Sequence, residues 1–229
     1  MIITIDGPSG SGKSTTARAV ADRLGYLYLD TGAMYRAVAL AFMRAGAEPT
    51  SGAATDLLPD VRIDIRYDDD AMRVHLNGDD VTEAIRTQSV GTMASRVSQL
   101  AAVRDKLVRE QRRIAAERVA AEGGVVLDGR DMGTVVFPDA DVKIFMVADA
   151  RVRAERRRAE YAAQGRDVSL DAVHEEIIER DRQDQTRELS PLQQAGDAVE
   201  LDTTDRSVDE QVDFVVNLVQ SQSTQGTKP

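Results

Sequence analysis

Eight residues near the start, Gly7-Pro8-Ser9-Gly10-Ser11-Gly12-Lys13-Ser14, lie between a strand-like run, Ile2-Ile3-Thr4-Ile5-Asp6, and a helix-compatible run from Thr15 to Leu24. That order constrains the chain tightly. The glycines let successive backbone N–H groups turn inward on an anion, and the helix that follows adds its positive end. The spacing G-x-x-x-x-G-K-[ST] then brings Lys13 to β- and γ-phosphates and the Ser14 hydroxyl to Mg²⁺. A glycine-rich turn with an incidental lysine would need neither flanking element. The segment predicts a nucleoside triphosphate site.

Bulk properties narrow the class. With 229 residues the chain can bury a full core, and one domain carrying an insertion is expected rather than two independent domains. A 42% hydrophobic and 30% charged composition is that of a globular chain, and no apolar run approaches the ~20 residues of a membrane helix. Met1 leads straight into the first strand, so no signal peptide is expected, and a cytoplasmic address follows as an expectation. The absence of cysteine excludes disulfides and thiolate metal sites. A net charge of −10 argues against nucleic acid or an anionic membrane as partner. Positive charge for an anionic ligand must then be concentrated locally. Only Lys13, Lys106, Lys143 and Lys228 are lysines among the 29 basic residues, and arginine's planar fork suits bidentate phosphate contacts.

Strand and helix signals alternate along most of the chain. Tyr26 to Asp30 reads as a second strand, and Asp30 or Thr31 can cap a helix running through Ala33 to Ala45. Helical periodicity spans Gln88 to Ala121 with a break near Leu100 to Val103. Val125 to Asp128, Val142 to Ala148 and Ala198 to Asp202 look like buried parallel strands. The fold class expected is α/β: a five-stranded parallel sheet with helices on both faces. Val61 to Val81 departs from this rhythm. It alternates with period two and turns at Asp68-Asp69-Asp70 and again at Asn77-Gly78, which marks an antiparallel insertion. The domain expected is 1–220, containing an acceptor-side insertion at 57–87 and a helical lid at 151–168, with 221–229 a flexible tail.

Three clusters bear on chemistry. Asp128-Gly129-Arg130-Asp131 follows an apolar strand, where ligands of open parallel sheets bind. Asp128 there resembles a Walker B aspartate holding Mg²⁺ directly or through water, although an Asp-Gly turn with solvated charges has the same sequence. Next, Arg151, Arg153, Arg156, Arg157 and Arg158 crowd one helix, with Gln164-Gly165-Arg166 as its turn. Such a helix can be a lid closing on phosphates, or a surface helix neutralised by Glu155 and Glu160. The last cluster puts Arg180, Asp184 and Arg187 at i, i+4, i+7 on one helical face. Spacing does not choose between an ion-pair ladder and a phosphate-plus-sugar site. His75 and His174 belong to none of these clusters.

The ordered set Gly7 to Thr15, Asp30-Thr31-Gly32-Ala33-Met34-Tyr35-Arg36, Arg86-Thr87-Gln88, Asp128 to Val136, Val135 to Phe145, and Arg180-Asp181 through Asp184 and Arg187 to Pro191-Leu192 resembles the bacterial cytidylate kinases, from about Ile2 to Thr204. The resemblance implies transfer of the γ-phosphoryl group of Mg²⁺-ATP to CMP or dCMP by a nucleoside monophosphate kinase. It implies that Gly7, Pro8, Ser9, Gly10, Ser11, Gly12, Lys13, Ser14 and Thr15 hold the ATP phosphates, helped by Arg156 and Arg157 of the lid. It further implies Thr31, Arg36, Ser95, Arg104 and Asp131 as acceptor contacts, Arg130 and Arg187 on phosphate, and Arg180 with Asp184 near the sugar. Lys13, Asp128, Arg130 and Arg187 would form the catalytic set, with Ser14 on the metal, in a monomer. Thr31 stands where many relatives have serine and keeps the hydroxyl. Another small P-loop kinase is the alternative enzyme, and a nucleotide-dependent binding switch the alternative of another class. No N-K-x-D guanine-reading motif supports a GTPase switch.

Overall fold

The computed structural model describes residues 1–68, 71–163 and 165–225. In chain order the elements are β1 (Ile2–Asp6), α1 (Lys13–Leu24), β2 (Leu27–Asp30), α2 (Thr31–Arg44), α3 (Ser51–Leu57), β3 (Ile63–Asp68), β4 (Ala71–Leu76), β5 (Asp79–Asp80), α4 (Gln88–Val97) and α5 (Ala101–Glu122). There follow β6 (Val125–Gly129), a π-helical turn (Met132–Val136), β7 (Val142–Val147), α6 (Ala150–Ala163), α7 (Leu170–Thr186), β8 (Val199–Asp202) and α8 (Val208–Gln225).

The main sheet has the order β2-β6-β1-β7-β8 and is parallel, as expected for strands alternating with helices. Central strand β1 pairs with β6 through Ile5↔Asp128 and Asp6↔Gly129, and with β7 through Asp6↔Phe145. These registers bring the ends of β1 and β6 level, so the glycine loop after Asp6 and the tetrad from Asp128 leave the sheet side by side. Val125, Val126 and Leu127 are all buried because both sheet faces are covered, which is why the strand reads as a continuous apolar run.

Two compact units make up the chain: Met1–Tyr28 with the chain from Val119 onward, and Leu29–Arg118. The first has its core in Ile3, Ile5, Val126, Ile144 and Met146 of the sheet, covered by Val20 of α1 and Val212 and Val215 of α8. Each such side chain contributes roughly 1.5–3 kcal/mol through burial. A satellite cluster of Ala154, Tyr161, Val173 and Ile177 joins α6 to α7.

The second unit holds α2 to α4, α5 as far as Arg118, and a three-stranded antiparallel sheet, β3-β4-β5. Ile63↔Leu76 and Ile65↔Val74 fix the register of β3 and β4, and Asn77 (φ 53) with Gly78 (φ 96) forms the left-handed turn that Asn-Gly signals. The expected turn at Asp69 and Asp70, like Gln164 of the turn after α6, lies outside the described residues. Helix α2 begins because the Asp30 carboxylate accepts from Ala33 N at 2.9 Å. Thr87 caps α4 in the same way, and the long helical pattern breaks at Ser98 to Leu100.

The structure departs from the sequence reading in two places. Arg187 does not share a helix with Arg180 and Asp184, because α7 ends at Thr186 and Arg187 is its cap with extended backbone (φ −62°, ψ 140°). Helix α8 carries the chain through Gln225, into the stretch 221–229 read as tail; 226–229 lie outside the described residues.

Candidate active site

The glycine loop has the form its sequence demands. Gly7 has φ 149°, and a Cβ there would lie 2.2 Å from the carbonyl oxygen of Met146, so no side chain fits where the loop leaves β1 against β7. Gly10, at φ 77°, faces the backbone and Cβ of Arg153 on α6. Lys13 opens α1 and is buried at 6% exposure, rather than riding on a surface loop. Its Nζ donates to Pro8 O at 2.6 Å and approaches Ser11 Oγ at 3.4 Å, so the ammonium folds over the loop it belongs to. Burial, then the charge of Arg130, push its pKa well below the ordinary lysine range, against the pull of Asp128, Asp184 and Asp6. A polyanion in the loop would offset both destabilising causes.

Asp128, near the C-terminal end of β6, gathers two hydroxyls from other elements. Its Oδ2 accepts from Ser14 Oγ at 2.7 Å and its Oδ1 from the Tyr28 hydroxyl at 2.9 Å. An exposed serine hydroxyl beside a carboxylate is a hard-oxygen donor set that suits Mg²⁺, which binds through one or two protein groups plus waters and substrate phosphates. Among the described residues no group of three or more His, Cys, Asp or Glu could form an all-protein cage, and Mg²⁺ with a nucleotide needs none. The group implied by the sequence therefore fits the residues present.

Asp6 is equally central. Its two carboxylate oxygens accept from Met132 N (2.9 Å) and Gly133 N (2.7 Å), pinning the π-helical turn that follows Arg130 and Asp131. Burial raises its pKa to about 6 from 3.8, assisted by Asp131 and opposed by those two amides and Lys13. Because the folded value lies above the unfolded one, the stability this group contributes is complete below about pH 4 and lost as pH rises through about 6. Asp6→Asn lacks this linkage. In nucleotide-free protein, the stability of wild type relative to the variant should fall by up to about 3 kcal/mol between pH 4 and pH 7. Urea unfolding at a series of pH values measures it, and parallel curves for the two proteins would refute it.

Five sequence-predicted residues, Arg130, Asp131, Arg180, Asp184 and Arg187, form one charged group in the first unit. Arg130 Nε donates to Asp184 Oδ2 at 2.7 Å. Burial disfavours both charges, yet each partner keeps the other ionised: Arg130 is raised, and Asp184 is lowered with help from Arg180 and Arg187. Arg187 lies 3.9 Å from Asp131 and donates through Nε to Ser190 O, while Leu192 N closes the segment onto Asp184 O at 2.8 Å. Arg130, Asp131, Asp184 and Arg187 thus belong to one largely buried ion-pair network.

The arginine-rich helix is partly neutralised by the protein itself. Arg153 is buried, pairs bidentately with Asp181 of α7 (3.0 and 2.7 Å), and donates to Ser9 O at 3.1 Å. Arg156 donates to the carbonyls of Thr203 and Thr204. Arg157 reaches Ser9 Oγ at 3.0 Å and Glu160 at 3.1 Å. In the second unit, Thr31 is buried at the start of α2, Arg36 and Ser95 are half-buried on α2 and α4, and the Arg104 guanidinium lies 5.9 Å from the Tyr35 ring centroid.

Tyr28, Asp6 and Arg153 are the participants that the sequence reading did not assign. Asp6 had a usable signal, since it ends an apolar strand ahead of a glycine just as Asp128 does. Tyr28 had none, because it acquires its role from a partner distant in sequence, and Arg153 was marked only as one of a run of arginines, its pairing with Asp181 being set by the fold.

A parallel sheet whose central strand feeds a glycine loop, a buried lysine at the following helix, and a serine–aspartate pair beside it define a P-loop phosphotransferase. The fold is shared by solved proteins from Thermus thermophilus (TM-score 0.53, 19% identity, 97% of each chain) and Eubacterium ventriosum (TM-score 0.52, 14% identity, 96% of this chain and 98% of the other). The cytidylate kinase family model matches residues 3–221. The chain is 56% identical over 227 residues to the cytidylate kinase of Salinibacter ruber, covering 99% of this chain and all of that protein. It is 48% identical over 220 residues to that of Geobacter sulfurreducens, covering 96% and 92%. The chain belongs to the cytidylate kinase family.

Proposed function

We propose that this protein is a nucleoside monophosphate kinase that transfers the γ-phosphoryl group of ATP to CMP or dCMP, giving the diphosphate and ADP. The observation that carries this reading is the 56% identity across essentially the whole of both chains. Phosphoryl transfer runs through a loose transition state and asks for positioning and positive charge rather than covalent help. Gly7 to Thr15 hold the ATP phosphates, and Lys13 supplies charge where the β/γ bridge gains it. Ser14 and Asp128 hold Mg²⁺, which, when bound, neutralises the transferring phosphates. Arg156 and Arg157 belong to the ATP side, and Arg157 donates to the Ser9 hydroxyl of the glycine loop.

Arg130 and Arg187 bind the acceptor phosphate. Arg180 and Asp184 act near its sugar, Thr31 and Arg36 contact the acceptor nucleotide, and Ser95, Arg104 and Asp131 contact its cytosine or another part of it. A nucleoside monophosphate brings an oxygen already largely ionised at pH 7, since a phosphate monoester's second pKa is about 6, so no general base is required. We take 57–87 as the acceptor-side insertion and 151–168 as the lid. We also read the protein as a cytoplasmic monomer whose partners are its substrates, with neither nucleic acid nor membrane among them.

An ADP-release assay across CMP, dCMP, UMP, AMP and shikimate tests the reading. CMP and dCMP should give the highest kcat/KM, with UMP roughly 10²-fold or more below, because a site built for cytosine leaves polar groups unpaired against uracil. Comparable efficiency with UMP would overturn the specificity. Activity with shikimate or AMP alone would overturn the function.

A further inference from the structure

We propose that Tyr28 is a positioning residue for the Mg²⁺ end of the phosphate site, acting through Asp128 on Ser14. This rests on the reading that Ser14 ligates nucleotide-bound Mg²⁺. The three side chains come from three elements, β2, β6 and α1, and each contributes one oxygen or carboxylate to a single chain of hydrogen bonds.

The argument turns on the hydroxyl hydrogen of Ser14. A serine hydroxyl has one hydrogen and two lone pairs, and only a lone pair can ligate a cation. Donation of that hydrogen to Asp128 Oδ2 at 2.7 Å leaves the lone pairs directed away from the carboxylate, on a side chain that is exposed. The arrangement holds only while Asp128 keeps its carboxylate plane fixed. The Ser14 hydroxyl restrains one of the two oxygens. The Tyr28 hydroxyl, donating to Oδ1 at 2.9 Å, restrains the other.

Tyr28 is itself held. Its ring is buried in the core cluster of β1, β6 and α1 at 7% exposure, and the Arg18 guanidinium lies 5.4 Å from the ring centroid. A phenol fixed this firmly is a pre-organised donor. Outer partners of metal ligands set ligand orientation in just this way, and their loss costs about 10–100-fold in metal affinity.

Tyr28→Phe removes only the hydroxyl and retains the ring, its burial and the Arg18 contact. The measurement is the affinity of ADP by titration calorimetry with and without Mg²⁺, using no acceptor nucleotide. Wild type should gain affinity when Mg²⁺ is added. In Tyr28→Phe that gain should shrink about 10-fold, while Mg²⁺-free ADP affinity and the thermal melt stay near wild type. Tyr28→Leu, apolar and strand-compatible, should show the same loss. In a Ser14→Ala background, which lacks the hydroxyl that Asp128 orients, Tyr28→Phe should cost clearly less of the Mg²⁺ gain than it does in wild type. An undiminished Mg²⁺ gain in Tyr28→Phe, or an equal loss with and without Ser14, would overturn the proposal. Since the readout contains no CMP, failure to phosphorylate CMP would overturn the proposed function and leave this inference standing.

Discussion

Lys13→Ala is expected to lower kcat by about 10²-fold or more while the protein stays folded. The lysine is buried over its own loop, and its ammonium donates to the Pro8 carbonyl and the Ser11 hydroxyl. Its burial and the neighbouring Arg130 both work against that charge, so the free protein holds it at some cost. Removing it relieves that cost in the free protein and removes charge that the transition state uses. The two consequences separate cleanly. A steady-state assay should show the rate loss, and a thermal melt should show little loss of stability or a gain. A collapse of Tm would mean that Lys13 is structural, and an unchanged kcat would mean that it does not meet the transferring phosphoryl group.

The second large effect concerns stability. Arg153→Leu should destabilise the protein by about 3–5 kcal/mol, because it strands the Asp181 carboxylate in a nearly buried position. In a chain of 229 residues that corresponds to a fall in Tm on the order of 10 °C. It also removes the donor to Ser9 O, so the KM for ATP should rise as the glycine loop loses its support from α6. Arg153→Leu with Asp181→Leu should recover most of the stability, since replacing both members of a buried ion pair with apolar side chains is often neutral. The double variant should not recover the KM, because the Ser9 contact stays lost. Recovery of both, or a single variant as stable as wild type, would show that the ion pair does not tie α6 and α7 to the loop.

Much of the fold was legible because it is written in local patterns. Val125 to Leu127 reads as a buried parallel strand from its own composition, and Asn77-Gly78 reads as a turn because few other residues accept φ > 0 in succession. The break between α4 and α5 was visible within a residue or two. The end of α7 was not. Arg180, Asp184 and Arg187 keep a helical spacing, yet the chain leaves the helix after Thr186, and the hydrogen bond from Leu192 N to Asp184 O holds the segment that follows. The π-helical turn after Asp131 was equally invisible, since it is set by the Asp6 carboxylate, 126 residues away from Met132.

The sequence alone determined that a phosphate loop joins a strand to a helix, that a parallel α/β sheet carries it, and that an aspartate and several arginines follow the strands. Each of these depends on neighbours within about ten residues, where backbone sterics and hydrophobic period decide the outcome. The tertiary structure decided which charges are free to meet a ligand. Ser14 became a directed hydroxyl through Asp128, and Asp128 a fixed carboxylate through Tyr28. Arg153 became a strut between α6 and α7 through Asp181. A buried charge must find its partner wherever the fold brings one, and those partners lie 28 to 114 residues away in these cases, beyond the reach of any local pattern.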